Sequence, residues 1–319
     1  MQSSMPRIGV IGTGAIGGFY GLMLARSGQD VHFLLRSEYQ AVVDKGLTVD
    51  SWVHGMLNLN PVQAYRDVTD MPACDWLLVG AKSTTNAELA PIIAKAAAPG
   101  AKVVLLQNGL DNEADLRPLL PDDLHLIAGL CYVCLYRTAP GVVVHQDNGL
   151  IDLAYHSGPA SDTAARAAVL SEGAGLFREA GIKAREAANL EAARWQKLVW
   201  NAAFNGVSVL LNGGTKALLD NPASWQLIRD LMAEIVSAAE AQGYSMPEQY
   251  PEKLLKHTHT MPDYQPSMYH DWLHKRPMEL DNLYGKALEK AARAGCAMPK
   301  TEALLQMLRF IQDRYLAAD

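Results

Sequence analysis

Residues 5–36, MPRIGVIGTGAIGGFYGLMLARSGQDVHFLLR, constrain the fold more than any other stretch. An apolar run from Ile8 to Ile11 leads into Gly12-Thr13-Gly14-Ala15-Ile16-Gly17. A helix-period segment follows to Arg26, and a second apolar run, Val31 to Leu35, ends at Arg36. Strand, glycine-rich turn, helix and strand make the βαβ unit that seats a dinucleotide pyrophosphate at a helix N-terminus. Gly12 permits the tight turn, Gly14 lets backbone N–H groups approach the phosphates, and Gly17 lets the helix pack close to the strand. G-x-G-x-x-G alone is a weak signal. In this context it predicts cofactor contacts from Gly12, Thr13, Gly14, Ala15, Ile16 and Gly17, against the plainer reading of a structural turn.

The end of the second strand selects the cofactor. An NAD site places Asp or Glu about 20 residues past the motif to bond the ribose 2′-OH. Arg36 stands there instead, and an arginine can pair with a 2′-phosphate that a carboxylate would repel. Glu38, two residues on, weighs the other way, and a solvated strand-end arginine is the alternative. The reading is NADP(H).

At 319 residues the chain has room for two domains with cores of their own. Hydrophobic residues make up 49% and charged residues 19%, the proportions of a soluble globular protein. A net charge of −6 argues against nucleic acid as a partner and for a small molecule. No apolar run reaches a membrane span and no signal pattern opens the chain, so the expectation is a cytoplasmic protein with no membrane partner. Cys131 and Cys134 form a C-x-x-C inside LIAGLCYVCLYR, which reads as a strand. Residues three apart on a strand face opposite ways, so the expectation is buried structural thiols.

Residues 46–65 suggest a small hairpin or irregular excursion. DWLLVGAKS and AKVVLLQNG read as parallel strands, joined by a helix that stops at Pro99-Gly100. GVVVHQDNGLIDLAY predicts a hairpin around Asn148-Gly149. SDTAARAAVLSEGAGLFREAG predicts a helix capped by Ser161 or Asp162 and closed by Gly181. From about residue 189 the pattern is helical throughout. The expected class is therefore α/β: a Rossmann-type doubly wound sheet over residues 1–188, then an all-α domain over 189–319. Ligands of such sheets bind outside the carboxyl ends of the strands, which marks Lys82-Ser83 and Gln107-Asn108-Gly109. Lys82 can reach the cofactor phosphates or ribose and Asn108 can sit beside the nicotinamide; helix capping is the alternative for both.

The helix opening near Asn189 is apolar nearly all round from Trp195 to Leu211. Lys197, Asn201 and Asn205 recur at intervals of four, with Ser208 three further on, which puts them on one line of the helix. A solvent face would carry several charges; so narrow a polar line predicts a cleft lining, with a solvated stripe of a half-buried helix as the alternative. A partly desolvated lysine there is suited to donate a proton near neutral pH.

WQKLVWNAAFN, the segment Pro266-Ser267-Met268-Tyr269-His270-Asp271, and Glu279-Leu280-Asp281 followed by Gly285 resemble the C-terminal motifs of the ketopantoate reductases. These are the NADP-dependent 2-dehydropantoate 2-reductases of pantothenate synthesis. The N-terminal GTGAIGG, Arg36, Lys82 and Gln107-Asn108-Gly109 match in the same order, so the resemblance spans nearly the whole chain. It implies that Lys197 is the general acid and that Glu279 holds the lysine and a substrate hydroxyl. It implies that Ser267 binds the substrate carboxylate with help from Asn201 and Asn205, and that Lys82 and Asn108 contact cofactor and substrate. Met278 stands where the family has Thr, and the register of a further family Asn near Asn212-Gly213 is open; both departures touch expected substrate contacts.

Pro277 makes Glu279 an early-helix acid that the dipole alone would favour. His257 with His259, and His270 with His274, have metal-compatible spacings but no carboxylate-backed ligand set, so no metal site is expected. Related readings are a reductase of another small 2-keto or 2-hydroxy acid, or an NADP-binding sensor without chemistry. Trp225 and the apolar C-terminal helices can pack within the monomer or across a homodimer.

Overall fold

The computed structural model of the protein describes residues 5–317. Among them one mixed sheet is built from β1 (Arg7–Ile11), β2 (Asp30–Leu34), β3 (Leu47–Ser51), β4 (Gly55–Leu59), β5 (Ala64–Tyr65), β6 (Cys74–Val79), β7 (Ala97–Leu105), β8 (His125–Ala139), β9 (Val142–Ser157) and β10 (Ala184–Glu186). The order is β4-β3-β9-β8-β7-β6-β1-β2-β5, with β10 also on β9. From β5 to β8 every pairing is parallel. The long β8–β9 pair and the β3–β4 hairpin are antiparallel.

The central strands are apolar on both faces, so helices cover both. Val10, Leu78 and Val104 pack with Phe19 of α1 (Ala15–Arg26) and Phe177 of α5 (Thr163–Glu179), with α2 (Tyr39–Lys45) contributing Val42. Ile11, Leu77 and Val103 pack on the other face with Ile93 of α3 (Asn86–Ala96) and Leu116 of α4 (Asn112–Leu116). The doubly wound Rossmann-type domain is as expected. Asp162 caps α5, its carboxylate accepting from the Ala165 N–H at 2.8 Å. Cys131 and Cys134 are both buried, and burial chiefly pushes the Cys134 thiol up to about 12.

Two local expectations are corrected. Asn148-Gly149 is not a hairpin turn; the chain reverses at residues 140–141, and Asn148 and Gly149 lie inside β9. Both have positive φ, 64° and 120°, at a register shift against Tyr132 and Val133. The bulge divides β9, so that residues 142–145 pair with β3 and residues 151–153 with β10. Pro99-Gly100 does not end α3 either. The helix stops at Ala96, Ala97 is extended at ψ 134°, and β7 runs through the Pro-Gly pair.

The second unit is helical: α6 (Leu190–Leu211), α7 (Thr215–Asp220), α8 (Pro222–Ala241), α9 (Tyr250–Thr260), α10 (Ser267–Leu273), a π-helical turn (Asp281–Gly285), α11 (Lys286–Arg293) and α12 (Pro299–Leu316). Trp195, Leu198 and Phe204 of α6 share its core with Ile228, Met232 and Ile235 of α8 and Leu304 and Leu308 of α12. One compact unit comprises the chain to Gln107 and Asn112–Leu190. The other takes the chain from Glu191 and also the short segment Asn108–Asp111.

Candidate functional site

The nucleotide end lies in the sheet-bearing unit. Gly12 has φ 86°, and a Cβ there would collide with Ala81, 2.7 Å from its Cα. A Cβ on Gly17 would strike the Gly12 carbonyl, so α1 starts flush against the turn. A Cβ on Gly14 would meet nothing within 4 Å, which leaves its face of the turn open. Thr13 is buried and its hydroxyl donates to the Leu34 carbonyl at 3.4 Å, tying the turn to β2. Ala15 and Ile16 open α1, whose first turn carries no acid, so its N–H groups and dipole favour an anion. The open face and acid-free helix start fit a dinucleotide pyrophosphate.

Arg36 follows the buried Leu35 and is exposed. Glu38, the carboxylate that could have opposed a phosphate there, is buried, paired with Arg137, and accepts from the Gly141 N–H at 3.1 Å. Lys82 is half-buried, just after β6, in extended conformation before the short turn Ser83–Thr85. Gln107 is a structural residue: its amide donates to the Asn86 side chain at 2.6 Å and to the Ala81 carbonyl at 3.0 Å. One residue further, Asn108 belongs to the other unit.

In the helical unit the polar line of α6 is buried along its length. Lys197 and Asn201 are each 8% exposed, Asn205 is 2% and Ser208 is 0% exposed, which removes the solvent-face alternative. The neighbours fix the orientation of the Asn205 amide. Its oxygen accepts from the Met268 N–H at 3.1 Å and the Ser267 hydroxyl at 3.4 Å, and its nitrogen donates to the Asn201 carbonyl at 2.9 Å. Asn205 thus ties α6 to the start of α10, where Ser267 is exposed. The Ser208 hydroxyl donates to the Asn205 carbonyl at 2.8 Å and stays within its own helix. Asn201 donates to the Asn108 side chain at 3.4 Å, so the strand-end asparagine and the α6 line do meet.

The segment carrying Asn108 is clamped. Leu110 donates its N–H to the Asn282 carbonyl at 2.8 Å, and the Asn282 amide donates to the Leu110 carbonyl at 3.1 Å. Gly109 sits between them at φ 93°, where a Cβ would strike the Asn282 backbone, 2.6 Å from its carbonyl carbon. Asp111 closes the segment on Lys290 at 2.8 Å. Sequence reasoning missed Asn282, because its partner lies 172 residues away in the chain. The π-helical turn that presents it leaves no periodic signal. Turns of this kind recur at functional sites.

Glu279, 8% exposed, precedes that π turn and accepts from the Leu283 N–H at 3.2 Å through its carbonyl. Met278 is 2% exposed and lies in the apolar core, with its N–H donating to Gln312 at 2.7 Å. The residue at the position of the family's Thr therefore packs in the core of the helical unit. Asn212 ends α6 at φ 49° and accepts from the Tyr269 hydroxyl at 2.8 Å. Burial first, then His274 and Arg276, push His270 down to about 4, so the ring three residues from Ser267 is neutral at physiological pH. His274 turns its Nδ1 to the His270 carbonyl at 2.7 Å.

Residues 8–158 match the family described as Ketopantoate reductase PanE/ApbA, and residues 189–312 match its C-terminal part. A 2-dehydropantoate 2-reductase of Nostoc sp. is 36% identical over 96% of this chain and 95% of its own length. The crystal structure of 2-dehydropantoate 2-reductase from Geobacter metallireducens superposes with a TM-score of 0.87 at 37% identity, covering 95% of this chain and 99% of that one. D-mandelate dehydrogenase, solved with NADH and anilino(oxo)acetate, shares the fold at a TM-score of 0.83 and 19% identity, over 97% of this chain and 99% of its own. Fold and family together make the protein an oxidoreductase of CH–OH groups that uses an NAD(P)-type dinucleotide on a small 2-keto or 2-hydroxy acid. The chain belongs to the ketopantoate reductase family.

Proposed function

We propose that the protein reduces 2-dehydropantoate to pantoate with NADPH. The observation that carries this reading is the buried row Lys197–Asn201–Asn205, set in an apolar helix and joined by hydrogen bonds to Ser267 and Asn108. Reducing a 2-keto acid requires a proton donor for the developing alkoxide and polar anchors for the carboxylate. Lys197 donates its proton to the ketone oxygen. Glu279 holds the ammonium and a substrate hydroxyl, while Ser267, with Asn201, engages the carboxylate. The bonds around Asn205 give it the task of fixing Ser267 and Asn201 in place. When bound, the nicotinamide supplies the hydride. The Gly12–Gly17 turn and Lys82 hold the cofactor's phosphates and ribose, and Arg36 holds its 2′-phosphate.

Steady-state assay of a panel of 2-keto acids with NADPH tests the substrate. The highest kcat/KM is expected for 2-dehydropantoate, and a tenfold or greater preference for another acid would assign the site to that acid. Arg36→Ala is expected to raise KM for NADPH about tenfold or more and leave that for NADH within about twofold, because one charge-assisted contact is lost. Equal changes for both cofactors would reduce Arg36 to a support of the fold.

A further inference from the structure

At the carboxyl end of β2 the chain turns through Arg36, Ser37, Glu38 and Tyr39, with the Tyr39 N–H donating to the Arg36 carbonyl at 3.3 Å. The strand beside this turn is β5, whose register sets Leu34 against Tyr65. The Leu35 N–H donates to the Tyr65 carbonyl at 2.9 Å. Arg66, the next residue, therefore leaves the sheet about one strand spacing, ~4.8 Å, from the backbone that carries Arg36. Its guanidinium lies 4.8 Å from the centroid of the Tyr39 ring, within the same turn.

Both arginines are exposed, and among the described residues no ion pair engages either guanidinium. The acids nearby in sequence are committed elsewhere. Glu38 is turned inward onto Arg137 and Gly141. Asp67 directs Oδ1 to the N–H and hydroxyl of Thr69, both at 2.8 Å. Strand pairing brings together the backbones that carry these two unpaired cations, and a dianion bound between the two side chains would be attracted by both. A phosphomonoester accepts from two guanidinium forks at once, and stacking on Tyr39 holds the second fork ready.

We propose that Arg66 is a second arm of the site for the adenosine 2′-phosphate, closing on it together with Arg36, and that the inward turn of Glu38 clears the opposing charge from that site. The proposal rests on the NADPH reading above and adds a residue that lies thirty positions downstream of the strand end that usually carries this specificity.

Calorimetric titration of the full-length protein with adenosine 2′,5′-bisphosphate and with 5′-AMP tests it without turnover. The wild type is expected to bind the bisphosphate more tightly. Arg66→Ala is expected to weaken bisphosphate binding about tenfold and 5′-AMP binding by less than about twofold, and Arg66→Lys to recover part of the loss. Arg36→Ala combined with Arg66→Ala should bind the two nucleotides equally. Retained 5′-AMP binding in each variant shows that the fold is intact. If Arg66→Ala leaves the preference for the bisphosphate unchanged, or weakens both nucleotides alike, Arg66 is only a prop for Tyr39 and the proposal is overturned while the NADPH reading stands. If the wild type shows no preference, the NADPH reading itself fails.

Discussion

Lys197→Ala is expected to cut turnover about 10²–10⁴-fold and leave NADPH binding nearly intact, which is the contribution of a positioned general acid. Negative charge develops on the ketone oxygen as hydride arrives, and the ammonium is the acid placed to neutralise it. Lys197 is 8% exposed, so alanine also removes a packed alkyl stem from the wall of α6. Lys197→Gln separates the two effects: glutamine fills most of the space but cannot protonate an alkoxide, and its turnover should fall by a similar factor. In the wild type turnover should decline at alkaline pH as the lysine loses its proton, and this limb should vanish in both variants. Near-normal turnover in Lys197→Gln would mean that the proton comes from water or another side chain. Lost NADPH binding with unchanged turnover at saturation would move Lys197 to the cofactor.

Gly109→Ala is expected to lower the stability of the helical unit by roughly 3 kcal/mol and turnover by about one to two orders of magnitude. At φ 93° an L side chain is strained, and the new methyl would press on the Asn282 backbone, which cannot swing aside as a flexible side chain would. Relieving the clash requires the segment Asn108–Asp111 to lift, breaking the two hydrogen bonds between Leu110 and Asn282. Asn108 then leaves Asn201. Urea unfolding followed by tryptophan fluorescence and steady-state kinetics measure the two effects separately. Asn282→Ala removes one of the same bonds without the clash and should show a smaller version of both. If Gly109→Ala matches the wild type in stability and rate, the clamp does not hold Asn108 in working position.

The parts of this protein that could be read from its amino acids are those whose physics is local. A tight turn at Gly12, a helix start at Ala15 and a strand ending at Leu34, just before Arg36, depend on residues within about thirty positions of each other, and the motif announces them. The α6 line is legible for the same reason, since helical periodicity puts Lys197, Asn201 and Asn205 on one side whatever packs there. Asp162 caps its helix through a contact three residues long.

What escaped depends on partners distant in the chain. Asn148-Gly149 has the composition of a hairpin turn. It became a bulge because β9 must serve β3 and β10 at two different stretches, a demand set by strands that begin at Leu47 and Ala184. Glu38 looked like an obstacle to a phosphate until Arg137 and Gly141, about a hundred residues on, drew it inward. Met278 looked like a changed substrate contact, and the packing of the helical core made it interior. Gln107 and Asn108 are neighbours with the same residue chemistry, yet one locks the sheet and the other joins the Lys197 row, because only Asn108 lies on the segment that Asn282 clamps. Local sterics and periodicity are written along the chain and can be read there. Burial, pairing and the assignment of a side chain to core or site are sums over contacts between distant segments, and they take their values only once the chain has folded.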